Sequence, residues 1–176
     1  MAEHNSGSQN EFVKSTVSTS DGGYIFAGYS SSTISPDKSE NNIGGYDMWI
    51  VKTDSVGNIE WDNTIGGLAD DAANSIVQTF DGGYVVAGYS GSGISGDKTE
   101  ASNGGNDFWI VKLSATGSIE WQNAIGGNDN DQAMAIKQTF DLGFIVVGFS
   151  LSGISGDKTE ANKRAFFYFR LLGDET

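Results

Sequence analysis

The sequence predicts an all-β fold built from three repeats, on three observations. Motifs recur every 60 residues: Asp21-Gly22-Gly23-Tyr24 returns as Asp81-Gly82-Gly83-Tyr84 and, altered, as Asp141-Leu142-Gly143-Phe144, while Ser92–Ala101 reappears letter for letter at Ser152–Ala161. The 25 glycines against one proline (Pro36) suit short strands joined by tight turns, because glycine supplies the positive-φ conformations that turns need. No segment carries a 3.6-residue apolar period, whereas short β-prone runs end at turn residues throughout.

The second repeat shows the elements most clearly. Ser75–Phe80 is a β-prone run, Asp81-Gly82-Gly83 a hairpin turn, and Tyr84–Tyr89 the returning strand. Residues 90–106 are rich in Ser, Gly, Asp and Asn and read as a loop. Phe108–Leu113 is a third strand, Gly117 lies in the next turn, and Ile119–Ile125 is a fourth strand. Gly126-Gly127 then opens an acidic link into the next repeat. The whole of 1–176 reads as one repeat domain, with repeats at about 10–65, 66–125 and 126–176. The third stops after Phe166–Leu171 and lacks a fourth strand.

YVVAGY (84–89) and FWIVKL (108–113) are apolar on both faces rather than alternating, the signature of strands covered on both sides. Four-stranded units stacked face to face describe a β-propeller with one blade per repeat. The order Q-T-x-D-G-G-Y-V-V-A-G-Y-S, loop, D-F-W-I-V-K-L, turn, I-E-W-x-x-x-I-G-G resembles the bacterial β-propeller repeats of about this length found in secreted and surface proteins. Thr79-Phe80-Asp81-Gly82-Gly83 and its equivalents resemble the Asp-box hairpin, which implies structural roles for Asp21, Gly23, Asp81, Gly83, Asp141 and Gly143. Leu142 departs from that pattern, so the first turn glycine reads as dispensable. A β-trefoil or β-prism is the alternative pseudo-threefold fold.

Three blades do not close a propeller, whose range starts at four. Either two chains form a six-bladed ring, the preferred reading, or the chain is a piece of a longer propeller. A homodimer is therefore the expected partner state.

Composition excludes several functions. A formal net charge of −13, with only two arginines (Arg164 and Arg170), repels phosphate backbones and anionic membranes. There are no cysteines, which removes disulfides and thiolate chemistry. His4 is the only histidine, which removes a Ser-His-Asp triad and histidine metal sites. Residues 1–15 are polar and read as carrying no secretory signal peptide. Extracellular or surface location is implied only by the family resemblance.

The candidate ligand residues are the repeated loop acids and the aromatics before them: Tyr29, Asp37 and Glu40; Tyr89, Asp97 and Glu100; Phe149, Asp157 and Glu160. Their functional reading is a glycan-binding rim with equivalent sites on one face, whose repetition would give avidity. Calcium is the one cofactor considered, through Asp97, Glu100, Asn103, Asn106 and Asp107. No spacing here matches an EF-hand, so neither metal nor cofactor is expected. The competing reading is a duplicated structural loop in which Lys38, Lys98 and Lys158 screen their own acids. Glu11, Asp71 and Asp131 are equivalent and read as partners of backbone in the links between repeats. Trp49 and Trp109 read as core, Trp61 and Trp121 as the more exposed pair on the last strand. The chain reads as a non-enzymatic binding or scaffold module; a purely structural self-assembling module is the alternative, and a hydrolase comes last.

Overall fold

The computed structural model describes residues 10–159 and the strand 167–171; Glu160, His4 and Arg164 lie outside them. The described residues form antiparallel strands and no helix. The first sheet has the order β1(Glu11–Ser18), β2(Tyr24–Ser30), β3(Asp47–Thr53), β4(Ile59–Ile65). The second repeats it with β5(Asp71–Gln78), β6(Tyr84–Ser90), β7(Asp107–Leu113), β8(Ile119–Ile125). The third holds β9(Asp131–Gln138), β10(Phe144–Ser150) and β11(Phe167–Leu171). Each sheet is an open meander in which every strand pairs with its neighbours in sequence.

Each turn between the first two strands of a sheet is tied by its aspartate. Asp81 Oδ1 accepts the Gly83 N–H at 3.0 Å and the Thr79 hydroxyl; Asp21 does the same with Gly23 and Thr19. The two turn glycines have different work. Gly22 and Gly82 take φ of 87° and 85°, with open space around them, and Leu142 takes 67° in the same place. Leucine is therefore tolerated there, but in a left-handed conformation that costs about 1–2 kcal/mol. Gly23 and Gly83 have ordinary φ but no room: a Cβ on Gly23 would stand 2.1 Å from the Thr53 carbonyl oxygen. Close approach, rather than a conformation closed to other residues, is what demands glycine at the second position.

The first strand of each sheet carries a bulge, at Lys14, Asn74 and Met134, opposite Gly28, Gly88 and Gly148. Bulges bend and twist the strand that carries them.

Face-to-face stacking produces two cores. Ile25, Ala27, Met48 and Ile50 of the first sheet pack against Tyr84, Val86, Trp109 and Val111 of the second. Val85, Ala87, Phe108 and Ile110, on the other side of the second sheet, pack against Ala133, Ile136, Phe144 and Val146 of the third. The two-sided apolar strands thus mark the middle sheet, where every residue of β7 is buried. Trp61 and Trp121 are half-buried at the margins of these cores, packed on Tyr84 and Phe144 with ring centroids 5.9 and 5.8 Å apart. Trp109 is fully buried, but Trp49 is only half-buried because none of the described sheets covers its side of the first sheet.

Candidate functional site

The antiparallel order puts the long β2–β3 and β6–β7 connections, the loop after β10 and the links at 66–70 and 126–130 at one end of the molecule, opposite the aspartate turns. All the candidate ligand acids and aromatics among the described residues gather near this end. Each loop folds back on itself through a short bridge, Ser35 to Lys38, Ser95 to Lys98 and Ser155 to Lys158.

That reversal turns the three lysines inward. Lys38 and Lys98 are 1% exposed and Lys158 6%, so they do not screen their neighbouring acids in solvent. Lys38 Nζ donates to Thr64 Oγ1 (2.6 Å) and the Glu40 carbonyl (2.5 Å); Lys158 Nζ donates to Ser150 Oγ and the Ser152 carbonyl (both 2.5 Å). Lys98 Nζ stands 5.4 Å over the Trp109 ring. Burial pushes the Lys38 and Lys98 ammonium groups down, with nearby carboxylates opposing.

The loop acids are engaged with backbone. Glu40 Oε2 accepts the Thr64 N–H (2.6 Å) and Glu100 Oε2 the Ala124 N–H (2.7 Å). Asp97 Oδ2 accepts the Gly66 N–H and Asp157 Oδ2 the Gly126 N–H, at 3.2 and 3.3 Å. Asp97 and Asp157 therefore clasp the link that precedes their own repeat. Ser92 and Ser95 complete the clasp by accepting the Ala69 and Leu68 N–H groups, and Ser152 and Ser155 do so for Asp129 and Asn128. Asp37 is exposed. The oxygens named for calcium go to separate partners: Asp97 and Glu100 as above, and Asp107 to the Asn103 N–H at 2.6 Å.

Beneath the loops lie four aspartates: Asp71 and Asp131, read from the sequence as link residues, Asp107, read as a calcium candidate, and Asp47, which the sequence did not single out. Asp71 Oδ2 accepts the Gly67 N–H (2.6 Å) and the Ser92 hydroxyl (2.8 Å), and Asp131 binds Gly127 and Ser152 in the same way. Asp47 receives the Ile43 and Gly44 N–H groups. Asp47, Asp71 and Asp107 are fully buried, and Asp131 is 2% exposed. Burial pushes the Asp47 and Asp107 carboxyls up to about 6, and the Asp71 carboxyl upward as well.

A second charged node, at the opposite end, was also missed. Lys112 Nζ, nearly buried, bridges Asp81 (3.0 Å), Glu120 (2.8 Å) and the Leu113 carbonyl (3.1 Å), as Lys52 bridges Asp21, Glu60 and Thr53. The available signal was a lysine recurring inside an otherwise apolar strand.

These carboxyls predict a stability maximum near pH 4. Asp47 and Asp107 titrate above the ordinary value of 3.8, so the stability they contribute is present below that value and is lost as pH rises to about 6. Burial raises Asp81, but the Thr79 hydroxyl, the Lys112 ammonium and the Gly83 N–H outweigh it and bring it to about 2. Its contribution is present above 3.8 and is lost as pH falls toward 2. Thermal melts are expected to give the highest Tm near pH 4, and Asp107→Asn is expected to reduce the drop between pH 4 and 7. A Tm rising steadily from pH 4 to 7 would contradict this.

One cluster at the loop end is not repeated. Phe12 lies 4.8 Å from Tyr29 and 6.4 Å from Tyr46 between ring centroids, and Tyr29 lies 5.2 Å from Tyr46. Lys14 Nζ stands 5.9 Å from the Phe12 ring and 5.4 Å from the Tyr29 ring. Phe12 is 40% exposed. Its equivalents are Ala72 and Gln132, and that of Tyr46 is Asn106, so departure from the repeat was the signal that could have found them. Tyr89 is half-buried and Phe149 exposed, and among the described residues neither has such a cluster around it.

No protein-family model matches this chain, and no curated protein matches it significantly.

Proposed function

We propose that this chain is a non-enzymatic scaffold module of the β-propeller type, its three sheets being successive blades. Support for the architecture comes from the first strands: β5 packs against both β1 and β9, as inner strands around one axis would. The observation that carries the scaffold role is the use of the loop acids. Glu40, Asp97, Glu100 and Asp157 each hold a backbone N–H of a neighbouring strand or link, so the repeated polar side chains stiffen the rim. A second reading, carbohydrate binding, is favoured by the Phe12–Tyr29–Tyr46 cluster, because amphipathic aromatic faces stack on pyranose rings. That reading gives one site in the first repeat rather than three equivalent ones.

One experiment separates the two. Wild type, Asp97→Asn/Glu100→Gln and Phe12→Ala are applied to a glycan array and melted in parallel. The scaffold reading expects a blank array and a Tm several degrees lower for the loop pair. Glycan hits lost in Phe12→Ala but kept in the loop pair would establish the second reading. Hits abolished by the loop pair with no change in Tm would overturn the scaffold reading.

A further inference from the structure

Most apolar positions of the stack occur in all three repeats, and their burial depends on which sheet they occupy. On one side of the second sheet, Tyr84, Val86, Trp109 and Val111 are at most 2% exposed, packed against the first sheet. Their equivalents Tyr24, Phe26, Trp49 and Val51 lie on a side of the first sheet that no described residue covers: Tyr24 is 43% exposed and the others are half-buried. The opposite side of the second sheet buries Val85 and Ala87 against the third sheet. The matching side of the third sheet, with Ile145, Val147, Ala135 and Lys137, lines an open hollow of about 450 Å³.

The described sheets therefore present two unlike open apolar faces, one on each side of the stack. Each is the equivalent of one half of an interface that the chain already makes twice. We infer that a second copy of this chain docks head-to-tail on them, the open face of its first sheet seating on the open face of the third. The reciprocal contact then closes the pair into six sheets. Unlike faces require a heterologous contact, which gives a closed ring when its rotation returns to the start. Docking rests on the stacking geometry alone; closure into six rests on the propeller reading.

The repeat also sets the register. The Ile76 N–H donates to Ser15 Oγ (3.2 Å) and the Ile136 N–H to Ser75 Oγ (3.3 Å). One step further on, Ala135 lies beside Thr16 of the second copy. The Ser20 and Phe80 N–H groups donate to the Gln78 and Gln138 side chains, both at 2.8 Å, which places Phe140 beside Ser18 of the second copy. The residues at this seam differ from those inside the chain. Ala135 replaces serine, Ser18 replaces glutamine, Thr16 replaces isoleucine, and Lys137 stands where the other sheets have Val17 and Val77. The contact between chains is thus more polar and has fewer hydrogen bonds than those within one. That difference makes it reversible and concentration-dependent.

The absence of cysteine in the sequence lets disulfide trapping read this register. Thr16→Cys and Ala135→Cys, both at exposed positions, are made separately and together. Under mild oxidation at tens of micromolar, a mixture of the two single variants is expected to give one cross-linked dimer, and neither alone should give any. The double variant is expected to give a single doubly linked dimer. Sedimentation of wild type should report twice the 18.6 kDa chain mass. Val51→Asp or Val147→Asp, on the two open faces, should return it to the monomer with unchanged circular dichroism. Wild type remaining monomeric at 100 micromolar, or Thr16→Cys cross-linking to itself, would overturn head-to-tail docking. A ladder of longer multimers from the double variant would overturn closure into six sheets.

Discussion

Trp109→Ala is expected to lower the unfolding free energy by about 3–5 kcal/mol, and Trp49→Ala by distinctly less. Both residues sit at the same register in their sheets, opposite Gly88 and Gly28, and each donates its indole N–H at 3.1 Å, to Gln122 and Asp62 respectively. What differs is the covering. Trp109 is fully enclosed between the first two sheets, so truncation leaves a cavity that the packed sheets cannot collapse into. It also strips the aromatic face from Lys98, an ammonium whose Nζ has no hydrogen-bond partner among the described residues. Trp49 is half-buried, and water fills the space it vacates. Urea denaturation of both variants at a concentration where wild type is monomeric measures the difference. Equal losses would mean that the open side of the first sheet is covered even in the single chain.

Gly88→Ala is expected to cost about 3 kcal/mol, at the upper end for overpacking. A Cβ there would lie 1.8 Å from the Ala72 carbonyl oxygen, 2.8 Å from its carbon and 2.9 Å from the Ala73 Cα. All three atoms are backbone, so no side-chain rotation relieves the clash; β5 itself must move. That strand packs against the first and third sheets, so a local shift disturbs both interfaces. Gly82→Ala is the comparison: it has open space and a φ of 85°, and should cost only the left-handed penalty of about 1–2 kcal/mol. The same denaturation series checks both, and a Gly88→Ala loss no larger than that of Gly82→Ala would contradict the steric account.

Much of this was legible because strand and turn signals are local. Ile119–Ile125 was read to the residue, and Tyr84–Tyr89 and Phe108–Leu113 to within one. The first strand of the second sheet was read too short. Ser75 was taken as the start of a strand that begins at Asp71. Asp-Ala-Ala-Asn has little β-propensity. It is extended because Asp71 pairs with Ser90 and donates its N–H to the Tyr46 carbonyl at 2.6 Å, contacts made across the fold. The loop lysines were read as screening their own acids because they stand beside them in a polar stretch. The Ser95–Lys98 reversal that turns Lys98 beneath the loop is not visible in composition.

The sequence by itself determined the all-β class, the 60-residue unit, the aspartate-tied turns and the candidate rim, since each depends on residues close together in the chain. Only the tertiary structure decided which copies of a position are buried. Trp49 and Trp109 stand in the same pattern and differ because, among the described sheets, one has a neighbour on that side and the other has none. Burial of an apolar side chain is a property of the surface opposite it. A repeated sequence carries the same face in every copy, and its place in the stack determines whether that face meets protein or water.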